Sequence, residues 1–297
     1  MSEEKKGMIA AVCANIIFGM SYLFTKMALS GTEPVILLSI RFTITFIVLN
    51  LLIAVKLMKL ELKGKKLLGP IVLGILQPVL YFLFENYGLK YTTTTLAGIL
   101  SSTSPILTAV LGAIFLGEKP NIKQWLCIGV SIVGVLLVSI GVSGGRTTVL
   151  GTICLVLAYL SGAFYSILIR RLSKRFSPFE LTYVMFLVGF LFFTAFAFIR
   201  YGAQTLPMMM TSLSQKSFVG AILYLGIACS VIAYLLGNYS LARLPVARNA
   251  TFNCIQTVVS VLSGVIIMHD PFSITSGIAV ILILLGVWGV NRFSTRV

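Results

Sequence analysis

The sequence predicts an all-α polytopic membrane protein: ten transmembrane helices built from two inverted five-helix repeats. Three observations carry this expectation. Hydrophobic residues make up 58% of the 297 positions before the 26 glycines are added, and charged residues only 10%, whereas a soluble domain has roughly 45–50% apolar residues including glycine and about 25% charged. So few charges cannot coat a globule in water. The apolar residues also fall into ten continuous runs, each near the roughly 20 residues a helix needs to cross a bilayer core. Finally, the two halves of the chain resemble each other, with five runs in each.

The first span, 7–29, follows Lys5-Lys6. That flank is like a signal peptide's, but the run is long, carries Asn15 and Lys26, and shows no small-x-small cleavage site. Span two, 34–56, opens at Glu33-Pro34 and contains Arg41. Span three, 67–88, follows a lysine-rich segment and holds Gln77, Pro78 and Glu85. Span four, 94–117, contains Pro105, and span five, 122–142, follows Lys119-Pro120. Span six, 150–170, ends at Arg170-Arg171, and span seven, 179–201, follows Ser177-Pro178. Spans eight, 217–239, and nine, 247–268, precede the tenth, 273–292, which follows Asp270-Pro271. A proline just ahead of an apolar run suits a helix start, where its missing N–H costs nothing. Continuous runs favour helices over a barrel, whose strands alternate, because a helix satisfies its own backbone hydrogen bonds in lipid.

The net charge is +15, but the basic residues sit in short loops, where they act as orientation signals rather than as a nucleic-acid surface. With the N-terminus inside, the inner segments hold seventeen Lys and Arg and the outer loops four: Lys90, Arg146, Arg200 and Lys216. This bias places both termini in the cytoplasm and the chain in the cell membrane. The five cysteines, Cys13, Cys127, Cys154, Cys229 and Cys254, lie inside apolar runs with no CxxC spacing, so no disulfide framework, zinc site or other cofactor is expected.

Gly7 to Pro34 lies over Gly151 to Pro178 at an offset of 144, and Asn86-Tyr87-Gly88-Leu89 over Asn238-Tyr239-Ser240-Leu241 at 152. The repeats are thus 1–142 and 150–297. An odd number of spans per copy turns the second copy upside down in the membrane, a recurring feature of secondary transporters. The stretch 86–138 resembles the drug/metabolite transporter superfamily, EamA-like branch, through Leu89-Lys90-Tyr91-Thr92, Pro105, Leu116-Gly117-Glu118 and the Gly129/Gly134 spacing, with Arg41-Phe42 also fitting. The second copy departs from the pattern, with Met185 at the arginine position and Asp270 at that of the glutamate. The resemblance implies a ten-helix transporter of small metabolites, often amino acids, usually moved outward through a central cavity.

Residues three and four apart share a helix face. Span one carries Asn15, Tyr22 and Lys26 on one stripe; span three Gln77, Tyr81 and Glu85; span four Ser101, Pro105 and Thr108; span six Tyr159 and Ser166; span nine Asn253 and Gln256. Small and hydroxyl stripes, such as Gly226, Ser230, Ala233 and Gly237 in span eight, also suit close helix packing. Amides are costly in hydrocarbon without partners or water. By helix rise, Asn15, Gln77, Ser104, Tyr159 and Gln256 each lie roughly 12–15 Å deep, near the midplane. The candidate substrate-binding set is therefore Asn15, Tyr22, Gln77, Tyr81, Ser101, Ser104, Tyr159, Asn253 and Gln256. Arg41 and Glu85 are expected to form a buried charge pair or, alternatively, a proton-coupling element.

The leading function is a secondary transporter exporting amino acids or related metabolites by alternating access. A channel would need carbonyl or charge rings, and a membrane enzyme paired carboxylates or clustered histidines; the chain has one histidine and one membrane-buried glutamate, Glu85. The expected partners are a small metabolite and the bilayer, with oligomeric state open.

Overall fold

The computed structural model describes residues 3–101, 103, 104, 106–108, 110, 111, 121–141, 148–244 and 252–293. Among them all regular structure is helical. Helix α1 spans Glu3–Leu29, α2 Pro34–Ala54, α3 Leu68–Lys90, and α4 begins with Thr94–Ser101. Helix α5 spans Ile122–Gly141, α6 Val149–Leu172, α7 Pro178–Tyr201 and α8 Thr205–Leu213. Helix α9 spans Lys216–Arg243, α10 Asn253–Ile267 and α11 Ile274–Arg292. Six helical segments among the described residues are long and apolar enough to cross a membrane, and α5, α10 and α11 hold shorter apolar helices. The chain is a multi-pass membrane protein.

Local chemistry sets several helix starts. Pro178 opens α7 behind Ser177, whose side chain accepts from Glu180 N while the Glu180 carboxylate accepts from Ser177 N. Asn121 and Gln124 make the same reciprocal exchange at α5. Each arrangement satisfies two N–H groups that the helix leaves unpaired. Pro34 begins α2. Pro120 and Pro105 fall outside the described residues.

The chain alternates between two faces of the bundle. On the N-terminal face, Arg243 Nε pairs with Glu3 at 2.9 Å and Lys65 Nζ with Glu180 at 2.7 Å. On the opposite, distal face, Lys90 Nζ pairs with Glu33 at 2.8 Å and Thr148 N donates to Tyr91 O.

Three features interrupt the regular spans. α3 opens into a π-helical turn at Ile75–Leu80, where Gln77 has φ −149° and ψ 115° and Pro78 supplies no N–H. Ser161 Oγ donates to the Leu76 carbonyl there at 2.7 Å. α9 has a π-helical stretch, Tyr224–Ala233, without a proline; Ser230 Oγ donates to Leu225 O at 2.8 Å and Thr45 Oγ1 to Gly226 O at 2.9 Å. These hydroxyls occupy carbonyls that irregular backbone would otherwise leave unpaired. The third is α8, in a segment expected to be a loop: Gly202 at φ +54° turns the chain, a conformation glycine accepts without steric cost.

Lipid tails are as apolar as leucine, so close packing and interhelical hydrogen bonds hold such a bundle together. Phe42 of α2 stacks on Phe186 and Phe193 of α7 at 5.5 and 5.4 Å. A Cβ on Gly98 of α4 would lie 2.6 Å from Ser260 Cβ of α10, and one on Gly134 of α5 2.8 Å from Ile283 of α11. Only glycine permits these approaches.

Candidate functional site

A cavity of about 160 Å³ lies between α1, α3, α4, α6, α9 and α10. Both halves of the chain build it. From α1 come Asn15 and Phe18; from α3, Gln77, Tyr81, Phe82 and Glu85. Ser104 and Thr108 follow from the α4 segment, Tyr165 and Ser166 from α6, Tyr234 and Asn238 from α9, and Asn253 and Gln256 from α10. Its wall runs from Glu85 toward the N-terminal face, reaching Ala11, Leu241 and Asn253.

Six of the nine candidate binding residues line this cavity: Asn15, Gln77, Tyr81, Ser104, Asn253 and Gln256. Their partners explain how they are held. Asn15 Nδ2 donates to Ala11 O at 2.8 Å. Gln77 Nε2 donates to Tyr234 Oη, joining the irregular turn of α3 to α9. Gln256 Nε2 donates to Tyr22 Oη at 2.9 Å.

Tyr22, Ser101 and Tyr159 are absent from the wall. Tyr22 and Tyr159 are 1% exposed. Tyr159 Oη donates to Ala97 O at 2.7 Å, and Ser101 Oγ to Gly98 O at 2.7 Å. Their hydroxyls are turned into backbone carbonyls, which removes them from the cavity surface in this structure. Tyr22 instead stands one hydrogen bond behind it, through Gln256.

Arg41 and Glu85 form no direct ion pair, contrary to the expectation of contact. Arg41 reaches α9 instead: Nε donates to Ser230 Oγ at 2.9 Å and Nη2 to Cys229 Sγ at 3.3 Å. Its guanidinium carbon lies 4.2 Å from the centroid of the Phe82 ring. The irregular α9 backbone presents Ser230 and Cys229 to α2, and the ring face supplies a further favourable surface for the cation. Nη1 is buried without a hydrogen-bond partner. Glu85 is 3% exposed, next to Tyr81, and lines the cavity, whereas Arg41 does not.

The distal face is tied together more directly. Lys26 Nζ donates to the carbonyls of Leu89 and Thr92 at the end of α3, where a cation complements the helix dipole. Asp270 Oδ2 accepts from Thr95 N at 2.9 Å and Thr95 Oγ1 at 3.0 Å, so the α10–α11 loop caps α4.

The sequence reading missed Tyr165, Tyr234 and Asn238. Tyr165 Oη donates to Asn238 Oδ1 at 2.6 Å, and Asn238 Nδ2 to Thr182 Oγ1 at 2.8 Å. The repeat alignment contained a signal, since Asn238 overlies Asn86 at the 152 offset. Asn86 itself is fully buried and donates to Phe82 O, so the alignment marked the position without telling which copy faces the cavity.

Comparison with known proteins bears on what this cavity serves. The EamA-like transporter family model matches residues 5–140 and again 149–292. The uncharacterized transporter YcxC of Bacillus subtilis (strain 168) is 33% identical over 97% of this chain and 94% of its own length. A probable amino-acid metabolite efflux pump of Escherichia coli (strain K12) is 22% identical over 99% and 97%. A solved crystal structure at 20% identity superposes with a TM-score of 0.69 over 98% of both chains, a likeness of fold. With the family model matched twice across nearly the whole chain, this protein is a small-molecule transporter rather than an enzyme and belongs to the EamA-like transporter family.

Proposed function

We propose that the chain is an exporter of small metabolites, amino acids or related compounds, working by alternating access in the cell membrane. In this reading ten transmembrane helices form two inverted five-helix halves, 1–142 and 150–297, with both termini in the cytoplasm. The observation that carries it is the polar cavity contributed by both halves and lined by Asn15, Gln77, Ser104, Asn253 and Gln256. Each of these amides has more donors and acceptors than the protein partners described above occupy, the remainder are suited to water or a ligand, and a site between repeats is where alternating-access transporters hold substrate.

Two further features support the reading. The π-helical turn of α3, 75–80, falls at the 152 offset on 227–232, inside the π-helical stretch of α9. The two halves therefore carry matched irregular segments beside the cavity, and the Gln77–Tyr234 hydrogen bond ties the first to the residue that directly follows the second. Such segments are natural places for a helix to bend as one half rocks against the other. The cavity wall extends toward the N-terminal face, and at the distal face Lys26, Lys90 and Asp270 surround a separate pocket of about 290 Å³.

The test is metabolite profiling of medium from cells with and without the protein, followed by flux of the released compounds in liposomes. Saturable, slow flux supports the reading. Absence of any released compound rejects export, and unitary current steps in a planar bilayer would establish a channel.

A further inference from the structure

The charged groups around the cavity are arranged asymmetrically. Of the buried pair of opposite charges, only the acid reaches the wall: Glu85 lines the cavity, while Arg41 stands behind Phe82 and Cys229, both of which do line it. No other described lining residue carries a formal charge. The ionisable groups closest to Glu85 are Tyr81 on its own helix, Tyr22 on α1, Tyr159 on α6, Cys229 and Tyr234 on α9, and Arg41 on α2. Among these Arg41 alone is a cation; it acts on the carboxylate through space from behind Phe82 and Cys229 but makes no direct ion pair with it.

The rest of the wall points the same way. The aromatic residues Phe18, Tyr81, Tyr165 and Tyr234 also line it, and aromatic rings attract cations through their quadrupole. The amides of Asn15, Gln77, Asn253 and Gln256 both donate and accept, so they favour neither sign. A buried carboxylate is costly unless paired, and an anionic ligand beside it would add like-charge repulsion.

We propose that Glu85 is the counter-ion for a protonated amine on the transported molecule, so that the cavity admits cations and zwitterions and rejects anions. This rests on the cavity being the substrate site. It goes further by assigning the recognised group and its protein partner.

The experiment uses purified full-length protein and a hydrophobic carboxyl reagent, N,N′-dicyclohexylcarbodiimide, which adds to a carboxylic acid without a leaving group. Labelling of the Glu85 peptide is followed by mass spectrometry, with the Glu85→Gln variant as the blank. Two probes of matched size that form no stable product with the carbodiimide are compared, N,N-dimethylphenethylamine, a cation at neutral pH, and 2-phenylethanesulfonate. At about ten times its Kd, mass action predicts that the protonated amine slows labelling roughly tenfold, while the sulfonate leaves it unchanged. Equal protection by both probes, protection by the anion alone, protection by neither, or a Glu85 that never labels would overturn the inference. The readout needs no flux, so it separates from the transport reading. Wild-type cells that release no metabolite defeat the latter, and released compounds that all lack an amine defeat only the former.

Discussion

Asp270 joins the second half of the chain to the first at the distal face, and its removal should be costly. Its Oδ2 accepts two hydrogen bonds from Thr95, one from the backbone N at 2.9 Å and one from Oγ1 at 3.0 Å. A hydrogen bond to a charged group is worth about 1.5–3 kcal/mol, and a carboxylate at a helix N-terminus adds about 0.3–1 kcal/mol. Thr93 Oγ1 still caps the same helix through Leu96 N at 3.1 Å, so α4 loses part of its capping and not all. Asp270→Ala should therefore destabilise the protein by at least about 3 kcal/mol. Asp270→Asn, whose amide oxygen still accepts from Thr95 N, should cost about 1 kcal/mol. Thermal unfolding of the purified protein checks this, the alanine variant melting at least about 6 °C below wild type. Thr95→Val removes one of the two donors, so the double variant with Asp270→Ala should fall short of additivity by about 1 kcal/mol. A shift for Asp270→Ala within about 0.5 kcal/mol of wild type, the usual range of surface substitutions, would refute the capping argument. So would full additivity with Thr95→Val.

Gln256→Leu removes a cavity amide and its bond to Tyr22 while leaving a side chain suited to an apolar span; transport in liposomes should fall by at least about tenfold with folded yield nearly unchanged. A proportional loss of yield would make Gln256 a packing group. Gly98→Ala places a methyl 2.6 Å from Ser260 Cβ, which should cost about 1–3 kcal/mol in thermal stability. Adding Ser260→Gly should restore most of it, and a failed rescue would show that the strain lies elsewhere. Reporter fusions ahead of Glu3 and after Val297 should both read as cytoplasmic; opposite readings would remove the inverted ten-span arrangement.

Composition and run length by themselves determined that this chain is helical and crosses the membrane repeatedly, because a bilayer allows few ways to bury a backbone. Local chemistry likewise marked boundaries: Pro34 and Pro178 begin helices, each effect depending on residues within a turn. The polar stripes named Asn15, Gln77, Ser104 and Gln256 as residues of similar depth, since helix rise is a property of one helix. Whether a stripe meets a cavity or a neighbour depends on how each helix is rotated against the others, and periodicity carries no record of that. Tyr159 and Ser101 lie on the polar stripes, Tyr159 at midplane depth, yet their hydroxyls end on the carbonyls of Ala97 and Gly98. The partner of a buried charge is equally non-local. Arg41 finds Ser230, 189 positions away, because α9 turns π-helical where no proline announced it. Tertiary packing thus decided that the guanidinium sits behind Phe82 and that the carboxylate of Glu85 faces the cavity.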